Sequence, residues 1–223
     1  MEKRNAIPVF VVEDQPAIRK ALLKYLATRE EVEVLGCAPS GELGLEALAE
    51  LGEGGRPEVL VLDLELPGID GIGVLEAVRE RWPEVRVLIL TTFDDEAKVY
   101  EAVNKGASGY LVKRIATEKV VEAICEVADG GVVIESRIAK RFWNYFESVK
   151  ATPKVPDRGG LSELELEVLH YIARGLSNAE VGEVMDIERR TVRTHLSHIY
   201  EKLGVSSHVS AVVEGLKRGL INL

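Results

Sequence analysis

With 223 residues, 46% of them hydrophobic, the chain has room for two domains, each with its own core. A formal net charge of −9 and a pI near 5.1 exclude wholesale attraction to nucleic acid or to an anionic membrane. The imbalance is local, since residues 1–147 hold 18 basic and 27 acidic side chains and residues 148–223 ten of each, so a nucleic-acid surface in the second part stays open.

Cys37 and Cys125 are the only cysteines, far apart in sequence, which suits unpaired thiols in a reducing compartment better than a disulfide framework or a zinc site. The first residues lack the apolar region of a signal peptide, and no apolar run approaches the ~20 residues of a membrane span. The expectation is a soluble cytoplasmic protein.

The elements alternate. Residues 7–12 form a short apolar strand ending in Glu13-Asp14, and Ala17, Leu22, Leu23 and Leu26 recur at helical spacing over residues 16–28. Val32 to Gly36 is a second strand, Ser40 caps a helix through Leu51, and Gly52 to Gly55 make a turn. The Val- and Leu-rich run from Pro57 then reads as a strand buried on both faces, ending at Asp63 before a turn of Pro67, Gly68 and Gly71. A helix to about Arg81, a strand over 85–90 ending in Thr91-Thr92, and a helix over 95–104 capped by Asp94 follow. Residues 108–112 form a fifth strand ending at Lys113, and Thr117 opens a helix to Asp129. Five such alternations make a doubly wound, five-stranded parallel sheet.

A helix over 135–147 and a Pro- and Gly-containing linker over 151–160 lead to a purely helical region. Ser162-x-x-Glu165 and Ser177-x-x-Glu180 are capping boxes opening two helices. A third helix spans 188–203, with Val192, Leu196, Ile199 and Leu203 inward, and a fourth spans 209–220.

In a doubly wound sheet the strand C-termini share one edge, so Glu13, Asp14, Asp63, Thr91 and Lys113 converge there. Taken singly, Asp63 could cap a loop, Thr91 belong to a turn and Lys113 be a surface charge. Together the three carboxylates call for a hard cation such as Mg²⁺, and the Lys and Thr supply donors for a phosphoryl group. An Asp carboxylate can be the nucleophile that becomes an aspartyl phosphate. A nucleotide-binding Rossmann fold is disfavoured, because Glu13-Asp14-Gln15-Pro16 stands where a Gly-rich phosphate loop belongs.

The acidic pair, Asp63, Thr91, Tyr110 and Lys113, in that order and spacing, resemble the receiver domain of bacterial two-component response regulators across roughly residues 7–130. The resemblance implies a flavodoxin-like fold in which Asp63 takes phosphate from a sensor histidine kinase. It implies Mg²⁺ on Asp14, Asp63 and the backbone carbonyl of Glu65, with Glu13 acting through water, a switch formed by Thr91 and Tyr110, and Lys113 on the phosphate. Arg114 stands where many receivers have Pro, and the Glu65 side chain adds negative charge at the pocket mouth.

The second and third helices of the C-terminal region, joined through Met185-Asp186-Ile187, make a helix-turn-helix whose third helix carries Arg189, Arg190 and Arg193. Its outer face offers Arg190, Arg193, Thr194 and Ser197; a merely solvated basic face is the alternative. Leu161-Ser162-x-x-Glu165-x-Glu167-Val168-Leu169, Gly175-Leu176-Ser177-Asn178-x-Glu180-Val181, Thr191-Val192-Arg193-x-His195 and Lys202-Leu203-Gly204-Val205 resemble the LuxR-type domain of NarL/FixJ response regulators. This implies a recognition helix in the major groove of double-stranded DNA, with Arg193, Thr194 and Ser197 nearest the bases, and a last helix pairing two subunits. His195 is packed or phosphate-adjacent. Glu188 stands where a capping Ser is usual, and Gly182 where Ala is usual.

The chain thus divides into a receiver (1–130), a linker (131–160) and an all-α, four-helix DNA-binding domain (161–223). It reads as a transcription regulator switched at Asp63, a homodimer once phosphorylated, and an enzyme only in promoting its own Mg²⁺-dependent phosphorylation and dephosphorylation. Two other readings are a phosphorylation-independent DNA binder and a protein-interaction module whose helix-turn-helix no longer binds DNA.

Overall fold

The computed structural model describes residues 6–92, 96–113, 117–131, 133–134, 160–205 and 207–221. The expected helix over 135–147, the linker over 151–159, Asp94 and Arg114 lie outside them.

Strands β1 (Ile7–Val12), β2 (Val32–Ala38), β3 (Val59–Leu62), β4 (Arg86–Thr91) and β5 (Gly109–Val112) are joined by a two-residue β6 (Val133–Ile134) that pairs in parallel with β5. The sheet order is β2-β1-β3-β4-β5-β6, so the expected five strands become six, and β6 occupies what the sequence left as linker. Two residues carry no periodicity, which is why β6 escapes a sequence reading. Around the sheet lie α1 (Pro16–Leu26), α2 (Gly41–Glu50), α3 (Gly52–Gly55), α4 (Gly71–Arg81), α5 (Glu96–Asn104) and α6 (Thr117–Ala128). The Gly-rich segment expected as a turn is thus the single helical turn α3. Cys37 is exposed on the edge strand β2 rather than in the core.

Each central strand feeds two cores. Phe10, Val12, Leu60, Leu62, Val87 and Ile89 pack on α2, α4 and α5, and the alternate residues Val9, Val11, Val59, Val61, Leu88 and Leu90 pack on α1 and α6. Burial on both faces is the reason these strands read as continuous apolar runs. The strand order reverses between β1 and β3, which opens a crevice at their C-terminal ends.

The C-terminal domain comprises α7 (Glu163–Ala173), α8 (Asn178–Met185), α9 (Arg189–Leu203) and α10 (His208–Lys217) around a third core that includes Val168, Val181, Val192, Leu196 and Ile199. Both capping boxes form, at Ser162/Glu165 and Ser177/Glu180, whereas Glu188 gives α9 no side-chain cap. Glu165 also accepts from Lys202 at 2.7 and 2.8 Å, tying α7 to the recognition helix α9. In the turn between α8 and α9, Asp186 is left-handed at φ 53°, and a Cβ on Gly182 would stand 2.8 Å from the Ile187 carbonyl oxygen. That close approach accounts for glycine at 182.

The two domains pack together. Val209 and Val213 of α10 belong to the same apolar cluster as Val99, Ala102 and Val103 of α5, and the Ser210 hydroxyl donates to the Val103 carbonyl at 3.0 Å.

Candidate functional site

The crevice is built by the strand ends. Glu13 and Asp14 follow β1, Asp63 follows β3, Thr91 ends β4 and Lys113 follows β5. Asp63 is 1% exposed, and its Oδ2 accepts from Lys113 Nζ at 2.7 Å. The same ammonium donates to Glu13 Oε1 at 2.9 Å, so one buried cation bridges two carboxylates. Burial alone would pull the Lys113 pKa down; the hydrogen bonds to Asp63 and Glu13 outweigh it and hold the pKa above its ordinary value. Glu13 is pushed up by burial, against its bond to Lys113.

Glu13, Asp14 and Asp63 each offer a carboxylate oxygen within 4.8 Å of the others. Lys113 neutralises part of that charge, yet Asp14 Oδ1 and Asp63 Oδ1 are buried and accept no hydrogen bond. Two buried, unsatisfied, hard oxygen donors beside a third carboxylate fit a Mg²⁺ site. The Glu65 carboxylate lies outside this group and accepts instead from the Thr92 hydroxyl.

Three supports hold the pocket that the sequence did not reveal. Arg19 Nη1 donates to the carbonyl oxygens of Glu13 at 2.6 Å and Asp14 at 3.1 Å, pinning the loop after β1. Glu42 Oε1 accepts from Ile69 N at 2.7 Å, and Asp70 caps α4 by accepting from Gly73 N at 2.9 Å. A Cβ on Gly71 would fall 2.1 Å from the Asp63 carbonyl oxygen, so only glycine lets α4 start this close to the site. An Arg one turn into α1 was the single available signal for the first of these. Tyr110 and Thr91 are fully buried, and Lys113 N donates to Thr91 O at 2.9 Å, which joins the ends of β4 and β5.

The outer face of the recognition helix, including Arg189, Arg193 and Ser197, is exposed, and three of its residues also meet the receiver or the cleft beside it. Arg189 is ion-paired with Asp129, the residue after α6, and Arg193 Nη2 donates to Ala128 O at 3.1 Å. Ser197 lines the cleft between the domains. Arg190 and Thr194 are exposed, Thr194 bonding back to Arg190 O at 3.1 Å, and His195 is half-buried. Sequence periodicity correctly turns Val192, Leu196 and Ile199 inward but cannot see that a second domain claims part of the remaining surface.

A relay crosses the same interface. Asn178 Nδ2 donates to Asp129 O at 2.8 Å, so its Oδ1 accepts from His208 Nε2 at 3.1 Å, and His208 Nδ1 accepts from the Tyr200 hydroxyl. Burial, then Arg86 and Arg193, lower the His208 pKa to about 3, so the ring is neutral with its proton on Nε2.

Residues 9–125 match the family model of the response regulator receiver domain, and residues 160–214 match that of bacterial regulatory proteins of the luxR family. The chain is 31% identical over 220 residues to the transcriptional regulatory protein LnrK of Bacillus subtilis, covering 96% of this chain and 98% of LnrK. It is 30% identical over 232 residues to the transcriptional regulatory protein DegU of Brevibacillus brevis, covering 98% and 97%. Among solved structures it is similar to the response regulator ChrA of a heme-sensing two-component system, with 30% identity, a TM-score of 0.52, and coverage of 98% and 100%.

Proposed function

Because the chain belongs to the two-component response regulators that join a receiver to a LuxR-type DNA-binding domain, we propose that Asp63 is the residue whose phosphorylation by a sensor histidine kinase controls this transcription regulator's hold on DNA. The observation that carries the reading is the buried Asp63 carboxylate, with Oδ2 on Lys113 and Oδ1 accepting nothing.

An Asp63 oxygen attacks the phosphorus of the kinase phosphohistidine, the P–N bond breaks, and its electron pair returns to the imidazole. Lys113 then bonds a phosphoryl oxygen, and the Thr91 hydroxyl at the end of β4 takes another. Mg²⁺ would be held by Asp14, Asp63 and the Glu65 carbonyl, with Glu13 through water, and would screen the charge between carboxylate and phosphoryl oxygens. Apart from this self-modification the chain is not an enzyme.

The phosphoryl group adds about −1.5 to −2 of charge, and Thr91 and Tyr110 shift to accommodate it. The helix α5 begins beyond Thr91 and ends against α10, so its repacking disturbs the Ser210 contact and the apolar cluster around Val209. Undocking frees Arg189, Arg193 and Ser197 to join Arg190, Thr194 and His195 on double-stranded DNA. It also uncovers α10 to pair with a second copy, so homodimer formation follows phosphorylation. None of the described helices is long and apolar enough to cross a membrane, and we place the protein in the cytoplasm.

A phosphate-affinity gel of chain treated with acetyl phosphate and Mg²⁺ tests the assignment. The wild type forms a retarded band and Asp63→Ala does not. An equal retarded band in Asp63→Ala overturns it.

A further inference from the structure

We propose that Arg19 is the positioning residue of the metal site: by holding the Glu13 and Asp14 carbonyl oxygens it aims the Asp14 carboxylate at the divalent cation. This role rests on the Mg²⁺ reading above.

Two of the three clustered carboxylates are framed by the sheet and by side-chain partners. Asp63 N donates to Val12 O at 3.0 Å, and its Oδ2 accepts from Lys113. Glu13 N donates to Ala38 O at 3.1 Å, and its carboxylate accepts from Lys113 and from Gln15 N at 3.1 Å. Asp14 lies between frames. The β1 pairing ends at Val12, the Glu13 amide makes the next bond to the end of β2, and α1 begins only at Pro16. Pro16 has no amide hydrogen with which to tie the loop, and the N-cap residue Gln15 makes no side-chain capping bond.

Arg19 bridges that gap from inside the helix. Its backbone N donates to Gln15 O at 2.9 Å, and its Nη1 reaches back to Glu13 O at 2.6 Å and Asp14 O at 3.1 Å. Those two carbonyls belong to the peptide planes on either side of the Asp14 Cα. Each peptide is planar, so the angle between consecutive planes is set by φ and ψ of the residue that joins them. Gripping both planes from one nitrogen restrains both dihedrals of Asp14, and with them the direction of its Cα–Cβ bond. The guanidinium meets carbonyl oxygens and leaves the carboxylate to the metal, for Asp14 Oδ1 is buried and accepts no hydrogen bond. Groups that orient a metal ligand in this way set the affinity of the site without entering it.

Thermal melts of the full unphosphorylated chain over a series of MgCl₂ concentrations at constant ionic strength give an apparent Mg²⁺ dissociation constant from the rise in midpoint. The wild type is expected to saturate, Arg19→Gln to bind Mg²⁺ about tenfold more weakly, and Arg19→Lys, whose ammonium keeps a donor, to fall between the two. Arg19→Met, which keeps the apolar stem, replaces Arg19→Gln if that variant does not fold. Labelling by acetyl phosphate gives a second readout. In Arg19→Gln the rate should drop about tenfold at limiting Mg²⁺ and return to within about twofold of wild type at saturating Mg²⁺. A merely structural role lowers the metal-free midpoint and leaves the dissociation constant alone. A saturable wild-type response unaltered in Arg19→Gln, an Arg19→Lys no better than Arg19→Gln, or a labelling deficit that persists at saturating Mg²⁺ overturns the role. A wild type that responds to Mg²⁺ no more than Asp14→Asn overturns the metal reading itself, and the role with it.

Discussion

Arg189 opens the recognition helix and is ion-paired with Asp129, which follows the last full helix of the receiver. A side chain proposed to meet DNA is thus held by a carboxylate of the same molecule, beside Arg193 on the Ala128 carbonyl at the negative end of α6.

Asp129→Ala should therefore raise the affinity of unphosphorylated protein for DNA. Both partners of the pair are partly exposed, which limits the gain to about two- to fivefold. Arg193→Ala should act in the opposite direction on the phosphorylated form and reduce the salt slope of binding by about one. Mobility-shift titrations across a range of salt concentrations measure both, and an unaltered slope in Arg193→Ala removes that residue from the DNA surface.

Lys113→Ala strips the one described cation bonded to Glu13 and Asp63. Leaving buried carboxylates uncompensated should cost about 3 kcal/mol of stability, and Mg²⁺ should restore much of the loss. Thermal melts with and without Mg²⁺ read this directly; a Mg²⁺ increment no larger than that of the wild type contradicts a metal at the acidic cluster.

The neutral His208 sets a pH dependence. Its folded pKa of about 3 lies below the ordinary 6.5, so the unfolded chain binds more protons throughout that interval and stability falls as pH drops through it. By about pH 5 the loss from this group is about 2 kcal/mol. Glu13, raised in the folded state, acts in reverse, adding stability as pH falls through its folded pKa toward 4.5. Denaturant midpoints at about pH 7 and about pH 5 should converge in His208→Gln; a wild-type difference retained in that variant assigns the dependence elsewhere.

Glu65 places a carboxylate at the pocket mouth, tethered to the Thr92 hydroxyl. Glu65→Ala should accelerate phosphorylation by acetyl phosphate about two- to fivefold by removing repulsion from an anionic donor. Thr92→Val, which keeps the charge but releases the tether, should not reproduce the full gain. Equal rates for Glu65→Ala and wild type would show that this charge does not control access.

Residues fixed by strand ends and helix periodicity were legible in the sequence. Asp63, Thr91 and Lys113 could be placed on one edge because a buried parallel strand announces itself by composition and its last residue by the turn that follows. Supports that act through carbonyl oxygens, such as Arg19 on Glu13 and Asp14, leave no pattern, since a backbone acceptor has no residue identity. The docking of α9 and α10 was equally hidden. Val209 and Val213 read as an ordinary amphipathic face, and only the tertiary structure shows that the receiver buries them. Gly71 and Gly182 looked like turn or substitution variants; close backbone approach explains both.

The docked helix meets the receiver near Arg86 and Ser108, where β4 and β5 begin, whereas Asp63 lies at the edge where they end, about 17 Å away along β4. On the reading proposed above, phosphorylation and release of the helix sit at opposite edges of one sheet, and α5, which starts at the Asp63 edge and packs its Val99 and Val103 with α10, is the element that spans them.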